Sequence, residues 1–186
     1  TQPITIDKTV QVKAKAFKEN FVPSSITIVK LTEMTPLEPI KLTKPVNGIN
    51  YKVYEGVWSK VPDFDTLKPI ETGVVKNPDH SKIKGKDHMG LEFSGYIDVA
   101  ETGLYTFYTA SDDGSKLYIG DIEVVDNDRC HGTIEEAGQI SLKAGKHPIK
   151  IRMFEAAGSE NMEVRYEGPG VKKQKIPGEK LFIESK

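Results

Sequence analysis

At 186 residues the chain holds one large domain, or one domain and a smaller piece, and is long enough to bury a core without disulfide staples. Hydrophobic residues make up 37% and charged residues 28%, with 16 glycines and 11 prolines, which excludes a disordered or fibrous chain and describes a turn-rich globular one. The 26 Lys and Arg nearly cancel the 27 Asp and Glu, which speaks against work on nucleic acid or an anionic membrane surface; no apolar run approaches a membrane span, and a single cysteine, Cys130, excludes intrachain disulfides.

In chain order, Val10, Val12, Ala14 and Ala16 alternate with Thr9, Gln11, Lys13 and Lys15, which predicts a half-buried strand. Ser25 to Leu31 reads as a second strand. Residues 34–47 carry Pro36, Pro39 and Pro45 with no period, so they read as a stiff linker, because proline is excluded from central strands. From Gly48 onward, short strands and glycine turns follow one another. Asn50 to Val57 is the first strand, and a loop containing Pro62, Pro69 and Pro78 comes next. Leu91, Phe93, Ile97 and Val99 share one face of a long strand, and Glu101-Thr102-Gly103 turns the chain. Tyr105, Phe107 and Thr109 form the next strand, which ends at Ser111-Asp112-Asp113-Gly114. Gly120-Asp121 suits a tight hairpin between Lys116–Ile119 and Ile122–Val125. Strands at Gln139–Leu142, Ile149–Met153 and Met162–Tyr166 complete the pattern. No window shows a convincing helical period, so the expected class is all-β, an antiparallel sandwich or barrel.

Few residues point to chemistry. No nucleophile elbow and no phosphate-cradling glycine loop is present, and the four histidines lack zinc-ligand spacing. Cys130 and His131 are chain neighbours, whose side chains point apart on a strand. The most informative cluster is Ser111-Asp112-Asp113-Gly114-Ser115. Two adjacent carboxylates repel unless something offsets them, and a hard cation such as Ca²⁺ does so through oxygen ligands. A turn in which Asp caps backbone amides is the commoner explanation of such a cluster. Sugars pair an apolar face with a polar rim, so Trp58, Tyr54, Tyr96 and Tyr118 are candidate platforms, with core packing the commoner role for each.

The stretch Gly90-Leu91-Glu92-Phe93-Ser94-Gly95-Tyr96-Ile97, then Glu101-Thr102-Gly103-Leu104-Tyr105-Thr106-Phe107, then Ser111-Asp112-Asp113-Gly114-Ser115-Lys116-Leu117-Tyr118-Ile119-Gly120 resembles the PA-14 domain. The likeness continues through Ile140 to Ile151, Met153-Phe154-Glu155 and Val164 to Gly170. It implies a β-sandwich of jelly-roll-like topology over residues 48–186. In fungal adhesins of this family, an Asp-Asp pair joined by a cis peptide holds Ca²⁺, which holds sugar hydroxyls, and a facing loop supplies an Asn. The matching residues here are Asp112, Asp113 and Glu155, with Glu155 in the place of that Asn. The resemblance therefore implies a carbohydrate and calcium site at Asp112, Asp113 and Glu155, with Trp58 added as the aromatic candidate.

Pro3 to Phe17, with Pro23-Ser24, resembles the later part of the C-terminal β module of chitobiase and β-hexosaminidase enzymes. Residues 1–33 are accordingly expected to be part of a small Ig-like module, and the chain a fragment of a longer protein. Thr1-Gln2-Pro3-Ile4 has neither a basic start nor an apolar stretch, and in a fragment that opening says nothing of location. Together the two resemblances imply a non-catalytic carbohydrate-binding region of a secreted, periplasmic or cell-surface glycoside hydrolase of the β-N-acetylhexosaminidase type. Its partners would be a glycan and the catalytic domain of the same polypeptide, with no nucleic acid and no membrane insertion. The competing expectation is a structural spacer that packs on a catalytic domain and binds no ligand.

Overall fold

The computed structural model describes residues 8–31 and 33–185 and divides into two units, Thr1–Thr35 and Pro36–Lys186. The opening Thr1 to Asp7, including the start of the chitobiase-type resemblance, lies outside the described residues.

The first unit is an antiparallel ribbon of β1 (Val10–Ala14) and β2 (Thr27–Leu31), with Val10 opposite Leu31 and Val12 opposite Val29. The expected alternation is present, but the strands are not half-buried. Only Val10 is partly covered, while Val12, Val29 and Leu31 are exposed. Two strands alone provide no layer to close over an apolar face. The connection is fastened by Ser24, whose Oγ accepts the Ala16 amide at 2.9 Å and whose own amide donates to Ala16 at 3.1 Å.

The second unit is a sandwich. Its strands are β3 (Pro45–Asn47), β4 (Ile49–Glu55), β5 (Glu71–Val75), β6 (Met89–Val99), β7 (Gly103–Asp112), β8 (Ser115–Ile119), β9 (Ile122–Asn127), β10 (Ile134–Leu142), β11 (Gly145–Glu155), β12 (Asn161–Gly168), β13 (Val171–Lys175) and β14 (Leu181–Glu184). One sheet runs β3-β14-β6-β11-β8-β9, with β4 pairing β6 and β5; the facing sheet runs β10-β7-β12-β13. All pairings between these strands are antiparallel. The period-2 pattern sets what is buried: Leu91, Phe93, Ile97 and Val99 of β6 meet Tyr105 and Phe107 of β7, with Ile149, Ile151 and Met153 of β11 in the same core. Among the described residues no helix is long and apolar enough to cross a membrane.

Residues 36–47 are not a free linker. The Leu37 amide donates to Ser141 at 2.8 Å, the Ile40 amide donates to Lys146 at 2.8 Å, and Leu37 packs against the core. Glu184 accepts the amides of Thr43 and Lys44. The prolines constrain this strap without freeing it: Pro45 opens β3, an edge strand, where its missing N–H costs no ladder bond. The compact unit therefore begins at Pro36, not at Gly48. β3, β5, β13 and β14 carry no clear periodicity in the sequence, since each is short and mostly exposed or partly exposed.

Candidate functional site

The end of β7 and the start of β8 bracket the Asp112-Asp113-Gly114 turn, and the Asp112–Asp113 peptide is cis. The bracket is held from inside. Ser111 Oγ and Ser115 Oγ lie 2.7 Å apart, and Asn127 Nδ2 donates to Ser111 Oγ at 3.2 Å and to the Ile134 carbonyl at 3.0 Å. β8 pairs with β11 so that Ser115 lies opposite Met153, and the Phe154 amide extends the ladder by donating to Gly114 at 3.0 Å. Register alone thus carries Glu155, two residues beyond Met153, to Asp113.

Asp112, Asp113 and Glu155 form one group in which one carboxylate oxygen from each lies within 4.8 Å of the others. Their surroundings differ. Asp113 accepts the His131 amide at 2.9 Å through Oδ1 and the Ala156 amide at 2.8 Å through Oδ2. Glu155 is 1% exposed, and neither carboxylate oxygen has a hydrogen-bond partner among the described residues. Burial, and then the charges of Asp113 and Asp112, push its carboxyl up to about 7. Asp112 is half-buried and is also raised, by burial first and by Asp113 second. Glu160 and Asp87 add negative charge nearby while each accepts a loop amide, from Gly85 at 2.7 Å and Gly158 at 3.1 Å. A buried carboxylate with no donor costs free energy unless it is protonated or meets a cation. Three carboxylates at this spacing fit a hard cation that takes oxygen ligands.

The amide-capping explanation of the turn is met at Asp113 and leaves Glu155 unexplained. Trp58 is not in the carboxylate group. It is half-buried on the loop after β4, edge-on to Phe64 at 6.0 Å, and Phe64 stacks on Tyr54 at 4.4 Å. Tyr54 is buried, so it serves the core. Cys130 and His131 form no pair, because both imidazole nitrogens face backbone carbonyls, those of Gly132 and Asn127. The two amides on Asp113, with Glu160 and Asp87, had no local sequence signal, since they arrive from four separate loop positions.

Residues 46–180 match the family described as PA14 domain. The chain belongs to that family. One relative is the anti-sigma-I factor RsgI3 of Acetivibrio thermocellus, 28% identical over 99 residues. That match covers 53% of this chain and 15% of RsgI3, so the chain spans only a small part of the curated relative. Among solved structures, a "PA14 sugar-binding domain from RTX adhesin" superposes with a TM-score of 0.64 at 13% identity, covering 74% of this chain and 99% of that one. The Epithelial Adhesin 9 A domain of Candida glabrata, in complex with Galβ1-4GlcNAc, gives 0.60 at 14% identity, covering 79% and 94%. At these identities the likeness shows the PA14 β-sandwich fold.

Proposed function

We propose that the PA14 unit is a non-catalytic carbohydrate-binding accessory domain whose site is Asp112, Asp113 and Glu155, with calcium as its cofactor. The observation that carries this reading is Glu155: a fully buried carboxylate without a donor, facing two more carboxylates. A bound calcium would supply oxygen-coordination positions that sugar hydroxyls can fill. Asp113 is pre-oriented by two amides, so its carboxylate does not have to be ordered on binding. Asp112 is the member with partial access to solvent, which suits it to meet hydroxyls. The adhesin domains that share the fold, one named sugar-binding and one solved with a disaccharide, support a glycan as the ligand. Trp58, tied into the Tyr54–Phe64 cluster, enters this reading as a wall of the loop region and not as a stacking platform.

The proposed setting is extracellular or at the cell surface, with the unit attached to a larger polypeptide. A glycoside hydrolase of the β-N-acetylhexosaminidase type is the parent that the resemblance of residues 3–24 favours. The RsgI3 relative is an anti-sigma-I factor, which supports a parent of another kind as the alternative. Weak binding at one site would still hold either parent on a polymeric glycan through effective concentration. The spacer reading keeps one observation in its favour, the two amides that Asp113 caps.

A glycan array tests the proposal, run on the wild type and on the Asp112→Ala, Asp113→Ala variant, with and without a calcium chelator. For at least one glycan, binding by the wild type that both the chelator and the substitutions abolish is expected. Binding to no glycan, or only binding that is indifferent to both treatments, would overturn it.

A further inference from the structure

We propose that the outer face of the large sheet carries a second carbohydrate-binding groove, for a neutral oligosaccharide, distinct from the carboxylate site. Register defines the face. Asn50 of β4 lies opposite Ser94 of β6, Ser94 opposite Lys150 of β11, and Lys150 opposite Tyr118 of β8. Their chain neighbours Tyr51, Phe93, Ile151 and Leu117 are buried in the core, so this rung points outward. Tyr96 continues the face two residues along β6, and Asp121 closes it from the β8–β9 turn.

Two clefts of about 440 and 190 Å³ lie on this face, and they share Gly120, Asp121 and Lys150. The two clefts therefore adjoin along Lys150 and the β8–β9 turn. Its polar side chains are uncommitted: Asn50, Ser94, Tyr96, Asp121 and Lys150 make no side-chain hydrogen bond or ion pair with any described residue. On the next rung Lys52 and Arg152 are instead each paired with Glu92, and Arg152 also borders the smaller cleft. Tyr118 is fixed by its hydroxyl on Glu123 at 3.0 Å, which holds one aromatic wall in place. Two tyrosines at the border and a few open donors and acceptors between them are the composition of a sugar site, with apolar ring faces for C–H groups and a polar rim for hydroxyls. The charged side chains that line the clefts, Lys150 and Arg152 against Asp121 and Glu184, offset one another, which favours a neutral ligand. Lys150 is five residues from Glu155, about 16 Å along the strand, and points to the opposite side of the sheet. The groove therefore stands independently of the carboxylate site, and two sites on one unit would hold one polymeric glycan more strongly than either alone.

The test uses the full chain carrying Asp112→Ala and Asp113→Ala, ¹⁵N-labelled and kept in chelator, so that the carboxylate site is silent. Cellohexaose, maltohexaose and chitohexaose are titrated separately while the amides of Ser94, Tyr96, Lys150 and Asp121 are followed. Saturable shifts of these amides with at least one sugar are expected. Adding Tyr96→Ala and Lys150→Ala should weaken that binding about tenfold, as for the loss of a ring contact and a charged hydrogen bond. Asn50→Ala with Lys150→Gln, confined to the surface, gives the same reading if Tyr96→Ala fails to fold. The absence of saturable shifts with all three sugars overturns the groove, as do shifts that neither pair of substitutions weakens. The calcium-dependent array reads the carboxylate site separately, so either site can fail alone.

Discussion

Glu155 faces Asp113 with oxygens within 4.8 Å, and the two are furnished unequally: Asp113 accepts two backbone amides, while Glu155 accepts none. Without a cation, the cheapest relief for Glu155 is a proton.

That relief makes metal-free stability depend on pH. In the unfolded chain Glu155 has its ordinary value of 4.5; in the fold it is held at about 7. Between those values the folded chain binds more protons than the unfolded chain, so stability falls as pH rises. Asp112, also raised, acts in the same direction. Glu135, held low by Lys173 and Arg165, acts in the opposite direction, but only below its ordinary value. From about pH 5 to about pH 8 the metal-free chain should lose on the order of 3 kcal/mol through Glu155. Urea unfolding in chelator checks this, with Glu155→Gln expected to flatten the dependence. A wild type equally stable at both ends would refute it.

Calcium should reverse the same loss. A ligand that binds only the folded state stabilises by mass action, by about 2.7 kcal/mol at a hundredfold excess over Kd. The effect should be large near pH 8, where Glu155 is ionised, and small near pH 5, where a proton competes for the site. Thermal unfolding of the wild type, with and without calcium at each pH, measures it. Asp113→Asn and Glu155→Gln should each remove most of the shift. Magnesium should do less, since it sheds its water less readily than calcium.

The core strands were legible because β6, β7, β11 and β12 each bury alternate large residues, and burial writes a period of two into the sequence. The edges were not. β13 reads Val-Lys-Lys-Gln-Lys and is mostly exposed, as suits an edge protected by charge, so it leaves no apolar pattern to find. The strap over residues 36–47 was hidden for a related reason: it is joined to the sheets through backbone atoms, which every residue has. At the site, the side chains of Asp112, Asp113 and Glu155 could be named from a family resemblance. The isolation of Glu155 could not, since it depends on which amides reach Asp113 in its place.

Gly114 couples the site to the fold. A Cβ there would lie 2.7 Å from the Arg129 amide nitrogen, 2.9 Å from the Arg129 carbonyl oxygen and 2.7 Å from the Phe154 ring. Gly114→Ala must therefore push back the segment that brings the His131 amide to Asp113. A destabilisation of about 1–3 kcal/mol is expected, together with a weakened calcium response. Gly132 is the control: its added Cβ meets nothing within 4 Å, so Gly132→Ala should stay within about 0.5 kcal/mol of wild type. Urea unfolding and calcium titration on both variants separate the two effects. Equal behaviour of the two variants would show that the packing at Gly114 is not what positions the loop.

On the outer sheet face, Glu92 is 2% exposed and is held between Lys52 at 3.0 Å and Arg152 Nε at 2.7 Å. Arg152 also meets Asp65 at 2.8 Å, as an ion pair rather than an aligned hydrogen bond. The two cations are not equivalent. The side chain of Lys52 is 40% exposed and that of Arg152 is 11% exposed, so Arg152 carries most of the compensation for a charge kept from water. Arg152→Ala leaves Glu92 with only the more exposed Lys52 and should cost about 3 kcal/mol, the lower end of what is seen when one partner of a buried pair is removed. Lys52→Ala should cost less than about 1 kcal/mol, as for a solvent-screened pair. Replacing both Arg152 and Glu92 by Met removes the poorly compensated charge and should recover most of the Arg152→Ala loss. Urea unfolding of the three variants settles the ranking. A double replacement no better than Arg152→Ala would mean that the loss comes from Arg152 packing over the Phe64 ring, 5.9 Å from its centre, and not from the poorly compensated carboxylate.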